Sequence, residues 1–264
     1  MSGTTSPASG YRERNSTADR ALDILMMFTD DQPVISGNAV AERLGVARST
    51  AYRYLQSLVN TRFLEEAPGG GFRLGLRILE IARLARRSYG LSEIALPAMT
   101  VLSEQARETV LLTRRAGDLV VCVDRVEART RAVRISYERG SSLPLNAGAA
   151  ALVLLAWSPA SEVRSLLAST DLQKFTPETL TSVDAIMKRL VEIRETGYAV
   201  TRAELDPDVL GISAPIRDGS GQVVAAVSVA ALASRVNAEA EPQIITQVLD
   251  TAGRISDKLA MVAG

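Results

Sequence analysis

Residues 44–58 read LGVARSTAYRYLQSL, and the fold turns on how this stretch is read. Taken as a helix at about 100° per residue and continued past its end to Asn60, it gathers Ala51, Leu55, Leu58 and Val59 on one side, where they must meet other apolar elements. The opposite side holds Ser49, Thr50, Arg53, Gln56 and Ser57, and Arg48 sits in the first turn, where a long side chain swings outward. Hydroxyl, amide and guanidinium groups therefore crowd a face that carries no acid. Tyr52 and Tyr54 lie at the margin between the two sides, which suits ring packing with the hydroxyl at the rim.

The flanking sequence supplies the rest of a small domain. Ser16 suits a helix N-cap with Asp19 three residues on, and Ala21, Leu22, Leu25 and Phe28 follow at helical spacing until Asp30-Asp31-Gln32-Pro33 stops the run. Ser36 is a second cap, followed by Val40, Ala41 and Leu44 on one face, and Gly45 breaks the chain. The third helix is expected over Ala47 to Asn60. Three short helices with a tight glycine turn between the second and third make the plan of a helix-turn-helix. FLEE, APGGG and FRLGL then form two short strands around a glycine-rich tip, the hairpin or "wing" of winged DNA-binding domains.

A polar outer face is ordinary on any solvated helix. Here it is free of acids in a chain with as many acids as bases, and a hairpin follows in the order a wing requires. The major groove admits such a helix, and arginine pairs with guanine edges in bidentate fashion. Serine and threonine hydroxyls and helix N-terminal amides suit phosphate oxygens. The expected DNA contacts are therefore Arg48, Ser49, Thr50, Tyr52, Arg53, Gln56 and Ser57, with Arg62 and Arg73 gripping the flanking backbone. Residues 1–90 carry 12 arginines, no lysine and nine acids, a net +3, against −3 for the remainder. The positive part coincides with this stretch.

Composition narrows the function classes. Of 264 residues, 47% are apolar and 23% charged, enough for a sizeable core. The near-continuous apolar stretch Val223 to Ala233 is too short to span a bilayer, so no membrane partner is expected. Residues 1–14 lack an apolar run and read as a disordered tail, not a secretory signal. A lone cysteine, Cys122, excludes an internal disulfide and points to the cytoplasm. No histidine is present, so neither a Ser-His-Asp nor a Cys-His nucleophile can be assembled, and imidazole-held zinc is impossible. No catalytic residue, metal site or cofactor is expected.

LRILEIARLARRSY places Leu76, Leu79, Ala82 and Leu84 opposite Arg77, Arg83, Arg86 and Arg87, a linker helix. Beyond Gly90, helices over 92–108, 147–157, 161–169, 177–197 and 240–262 mix with strands TVLLTRR, LVVCVDRVE, AVRISYER and the hairpin ISAPIRDGSGQVVAAVSVAAL. That mixture is an α+β layer domain. The expected organisation is a tail at 1–14, a winged helix-turn-helix at 15–76, a linker at 77–90 and a ligand domain at 91–264. An alternative from another class is an enzyme or small-molecule-binding protein whose winged helix serves only assembly. Against it, GGG at 69–71 joins two strands and opens no phosphate-cradling helix.

STADRALDILMMF, VAERLGVARSTAYRYLQSL and FRLGLRILEIA resemble the amino-terminal half of the IclR family of bacterial transcription regulators. LPLNAGAAALVLLA and ETGYAVTRAELDPDVLGISAPIRDGSGQVVAAVSVA are similar to that family's effector-domain segments, so the likeness extends from about Asn15 to the C-terminus. It implies a winged helix-turn-helix joined by a helix to a GAF-like effector domain. It also implies a homodimer or homotetramer on a palindromic operator in double-stranded DNA, as expected when one helix reads only a few base pairs. The implied effector is a small organic or aromatic acid from a catabolic pathway. Carried over residue by residue, the effector pocket falls on Leu143, Ala149, Ala150, Thr201, Val209, Gly211 and Ser228. Thr201 stands where some relatives have an acid and Gly211 where many have cysteine. Arg62 stands where glycine is common after the third helix, and Asn60 or Thr61 is expected to absorb the turn, asparagine being the easier left-handed residue.

Overall fold

A computed structural model describes residues 17–128 and 137–263. The tail at 1–14, the Ser16 cap and residues 132–136 of the expected strand AVRISYER lie outside the described residues. Backbone proximity divides the chain into two units between Ala85 and Arg86.

In the first unit the order is α1 (Thr17–Leu25), α2 (Gly37–Leu44), α3 (Arg48–Asn60), β1 (Leu64–Glu66), β2 (Phe72–Leu74) and the start of α4 (Leu76–Tyr89). The Ser36 hydroxyl accepts the Ala39 amide at 3.1 Å and starts α2, and Gly45, at φ 62°, ends it. Ala51, Leu55 and Leu58 of α3 are buried against Ile24, Val40 and Ala41. Phe72 bonds to the Ile35 backbone in both directions, at 2.8 and 2.9 Å, closing the hairpin over this core.

Two local expectations change. In α1 the fully buried residue is Ile24, while Leu22 is exposed. The helix tightens at its end, with the Met27 amide reaching back three residues to Ile24, so Phe28 enters the core from a turn. After α3 the left-handed residue is Arg62 itself, at φ 62°, whereas Thr61 stays at φ −88°. The Thr61 hydroxyl donates to the Ser57 and Leu58 carbonyls and prolongs the helix, which passes the reversal to the next residue. Phe63 then bonds Leu58 and Arg62 bonds Val59, both at 2.9 Å, a Schellman closure built without glycine. Relative to glycine, a left-handed arginine costs about 1 kcal/mol.

The second unit contains α5 (Leu91–Ala106), β3 (Thr109–Ala116), β4 (Leu119–Val126), β5 (Ser142–Leu143), α6 (Ala149–Ala156), α7 (Ala160–Ser169), α8 (Val183–Thr196), β6 (Ala199–Arg202), β7 (Val209–Arg217), β8 (Val223–Leu232) and α9 (Ala240–Ala263). Its sheet runs β5-β4-β3-β8-β7-β6 with every neighbouring pair antiparallel. Alternation splits the side chains into two cores. Leu210, Ile212, Val227 and Val229 pack with α5 and α9, while Leu111, Ala199, Ala226 and Ala230 pack with α6, α7 and α8. The result is an α+β chain: a winged helix-turn-helix, a helix leading out of it, and a layered α/β domain. Among the described residues no helix is long and apolar enough to cross a membrane.

The helix expected from Pro177 begins only at Val183, capped by Ser182. Upstream, the Thr176 and Thr179 hydroxyls donate to the Ala203 and Glu204 carbonyls. These bonds hold residues 176–179 as a strap against the loop after β6, where a helix would have turned the hydroxyls away.

Candidate functional site

The outer face of α3 is built by its amphipathic period. Arg48, Ser49, Tyr52, Arg53, Gln56 and Ser57 are exposed, and Thr50 is half-buried. Ala47 precedes the helix and offers no side-chain cap. The amides of Thr50 and Ala51 bond to the Ala47 carbonyl, while among the described residues no acceptor meets those of Arg48 and Ser49. Two free donors thus stand beside a guanidinium at the positive end of a helix dipole, an arrangement that attracts a phosphate.

Tyr52 remains 45% exposed, yet its ring meets Phe72 edge-on at 6.1 Å. The same ring lies on Gly37, where a Cβ would come within 2.6 Å of it, so a side chain at residue 37 would displace the Tyr52 ring. Tyr54 turns inward and its hydroxyl accepts from Arg20 at 3.2 Å. Arg62 leaves the carboxyl end of α3 exposed. Arg73 is also exposed but is paired across the hairpin with Glu65, Nε to Oε1 at 2.7 Å. An exposed pair of this kind contributes about 0–1 kcal/mol and opens readily.

In the second unit Leu143, Ala149, Ala150, Thr201, Val209, Gly211 and Ser228 all line one cavity of about 50 Å³. The sheet supplies its floor, since Thr201 pairs with Gly211 across β6 and β7. A Cβ on Gly211 would lie 2.8 Å from the Thr201 hydroxyl and 3.4 Å from the Ala149 Cβ, so glycine there keeps the floor open. The amino end of α6 forms a wall. Gly148 precedes it at φ 87° without a side-chain cap, and among the described residues no acceptor meets the buried amides of Ala149 and Ala150. A buried helix start without acceptors is a site for a small anion or polar group.

The cavity also holds side chains that periodicity did not single out, chiefly Tyr137, Glu204 and Asp206. Glu204 is only 9% exposed, and its Oε2 accepts from the Gly148 amide at 3.3 Å. Burial raises its carboxyl above the ordinary range, and the Gly148 amide and Arg189 charge offset part of that rise. Burial, aided by the Asp206 charge, raises the Tyr137 phenol in the same sense. Ser228 is nearly buried and donates to Ser213 at 2.8 Å, and Ser213 donates in turn to the Val227 carbonyl at 3.2 Å. Its proton is committed, so Ser228 shows the cavity lone pairs and suits a ligand hydroxyl better than a bare oxygen anion. Cys122 is buried outside this lining, with its thiol pushed up to about 11, first by burial and then by Asp124. It is an inert apolar residue.

The helix-turn-helix model of the IclR family matches residues 17–68, and the model of the carboxy-terminal domain of bacterial IclR regulators matches residues 84–257. The chain is 30% identical over 239 residues to the transcriptional regulator XynR of Escherichia coli, covering 90% of this chain and 94% of that protein. It is also 30% identical over 249 residues to the E. coli transcriptional repressor AllR, covering 93% and 90%. Among solved structures, an IclR regulator from a Silicibacter species superposes with a TM-score of 0.83 at 26% identity over 93% of this chain and 96% of that one. An IclR homologue from Microbacterium hydrocarbonoxydans, complexed with 4-hydroxybenzoate, superposes with a TM-score of 0.79 at 27% identity over 92% and 99%. With its winged head and layered α/β domain, the chain belongs to the IclR family of bacterial transcriptional regulators, and it is a DNA-binding regulator, not an enzyme.

Proposed function

We propose that this regulator binds a palindromic promoter site of a catabolic operon as a dimer or dimer of dimers, in the cytoplasm. A small organic or aromatic acid in the cavity at α6 alters its hold on DNA. The carrying observation is the uncapped, buried amino end of α6 opening on that cavity, in a chain whose α3 presents an acid-free cationic face. The α6 amides suit a carboxylate, and the lone pairs of Ser228 suit a hydroxyl on the same molecule. The 4-hydroxybenzoate bound by the Microbacterium relative carries both groups. On the head, Leu76 and Leu79 are 72% and 65% exposed, and Ile81 and Leu84 are exposed beside them. Such a stripe supports pairing of two heads, which two-fold half-sites require.

Effector binding biases the heads between two arrangements, a coupling of about 1–3 kcal/mol or roughly 5- to 150-fold in operator affinity. The test is a fluorescence-anisotropy titration of upstream fragments from the regulator's own operon, repeated across a panel of small carboxylic acids. Preference for one fragment over random duplex, changed several-fold by an acid, is the expected result. Equal binding to all fragments, or indifference to every acid, refutes the reading.

A further inference from the structure

The residue that leads into α6, Gly148, already donates its amide to an acid of the protein's own, Glu204. Glu204 sits at the cavity end of the loop after β6, and its position is fixed from behind. The Thr179 hydroxyl holds its carbonyl, the Thr176 hydroxyl holds the carbonyl of Ala203, and Ala203 adopts φ 55°. A non-glycine residue in that region is strained and persists because its neighbours fix it. The backbone is therefore pinned, while among the described residues the side chain makes one long bond, across to Gly148. A carboxylate has room for about four such bonds, so this one is weakly held for a buried group.

Glu204 is also shared between two spaces. On one side is the cavity. On the other is an open cleft of about 230 Å³ on α8, lined by Leu180, Ala185, Lys188, Arg189, Glu192 and Glu204. Arg189 donates to the Val200 carbonyl and stands 3.5 Å from Glu192, and its charge acts on Glu204. Among the described residues the cavity lining itself contains no lysine or arginine. An effector carboxylate entering beside an ionised Glu204 would meet a like charge in a poorly solvated space, where the repulsion is stronger than in water. A route that relieves this leads outward, to the cations of the α8 cleft.

We propose that Glu204 is a displaceable resident anion: it holds the amino end of α6 in the empty regulator, and an effector carboxylate turns it out into the α8 cleft beside Lys188 and Arg189. The resident anion keeps the site closed to stray polar solutes and makes effector entry an exchange. It rests on the reading of the cavity as an acid site. Asp206 and Tyr137 line the same space.

Acetate is the probe, with acetamide as its neutral counterpart, titrated by calorimetry into full-length wild type, Glu204→Gln and Glu204→Ala. Glutamine keeps the shape and an acceptor for the Gly148 amide, so the comparison survives if the alanine variant folds poorly. Removing the charge is expected to tighten acetate binding by about tenfold or more, with acetamide unaffected. Arg189→Gln is expected to weaken acetate several-fold in the presence of Glu204 and not in the Glu204→Gln background, the signature of coupled residues. Equal acetate affinity in wild type and both Glu204 variants overturns the exchange and leaves the acid site standing. An equal Arg189→Gln effect in both backgrounds overturns the exit toward α8. Acetate binding to none of the proteins overturns the acid site and the exchange together.

Discussion

The starts of α3 and α6 share one device and live in opposite surroundings. Each helix begins without a side-chain cap, at Ala47 and at Gly148, and each leaves first-turn amides without an acceptor among the described residues. In α3 those amides open to solvent beside Arg48 and Arg53; in α6 every residue is buried, and the amide of Gly148 just before it donates to the carboxylate of Glu204. The same dipole therefore serves two kinds of anion. In water its pull is screened, so it needs arginines and many contacts and suits a polyanion. Behind a protein wall it is strong over a few ångströms and suits one small anion of the right shape.

Leu55→Ala is the most disruptive way to break this contrast, because it removes a fully buried side chain from under the exposed face. A loss of about 2–5 kcal/mol of head stability is expected by denaturant unfolding, and operator binding falls with it. Arg53→Ala probes the face without the core. It should cost about 1–3 kcal/mol in operator affinity while changing the melting temperature little, and an unchanged gel shift would remove Arg53 from the contact. On the buried side, Ser228→Leu fills the cavity. Carboxylic acids that stabilise the wild type in thermal-shift assays should then have no effect, at an overpacking cost of about 1–3 kcal/mol, while operator binding persists. Glu65→Gln is the mildest change. It releases Arg73 from its partner at 2.7 Å and should tighten DNA binding by only a few-fold, within the ~0–1 kcal/mol of an exposed pair.

The two starts also differ in how much of each the sequence disclosed. The α3 face follows from the spacing of Ala51, Leu55 and Leu58, the Ser36 cap and the Gly45 turn, all local signals within one helical hairpin. The cavity lining came from family resemblance, because Thr201, Gly211 and Ser228 meet only through sheet pairing and α6 is apolar all round. Glu204 escaped both. An acid in the loop TRAELDPD looks solvated, and its burial depends on α6 and on threonines some 25 residues away. Arg62 escaped for a related reason. Nothing in an arginine announces a left-handed backbone, and the shift by one residue was set by the Thr61 hydroxyl.

The central claim is that the exposed start and outer face of α3 grip a duplex, and salt dependence of operator binding measures it most directly. Across a potassium chloride series, log K should fall linearly with log salt, at a slope of roughly −0.9 for each phosphate neutralised. A preferred upstream fragment should keep its advantage over random duplex at moderate ionic strength, and Arg48→Ala should make the slope shallower by about one such unit. A flat salt profile with no preferred fragment would contradict the account.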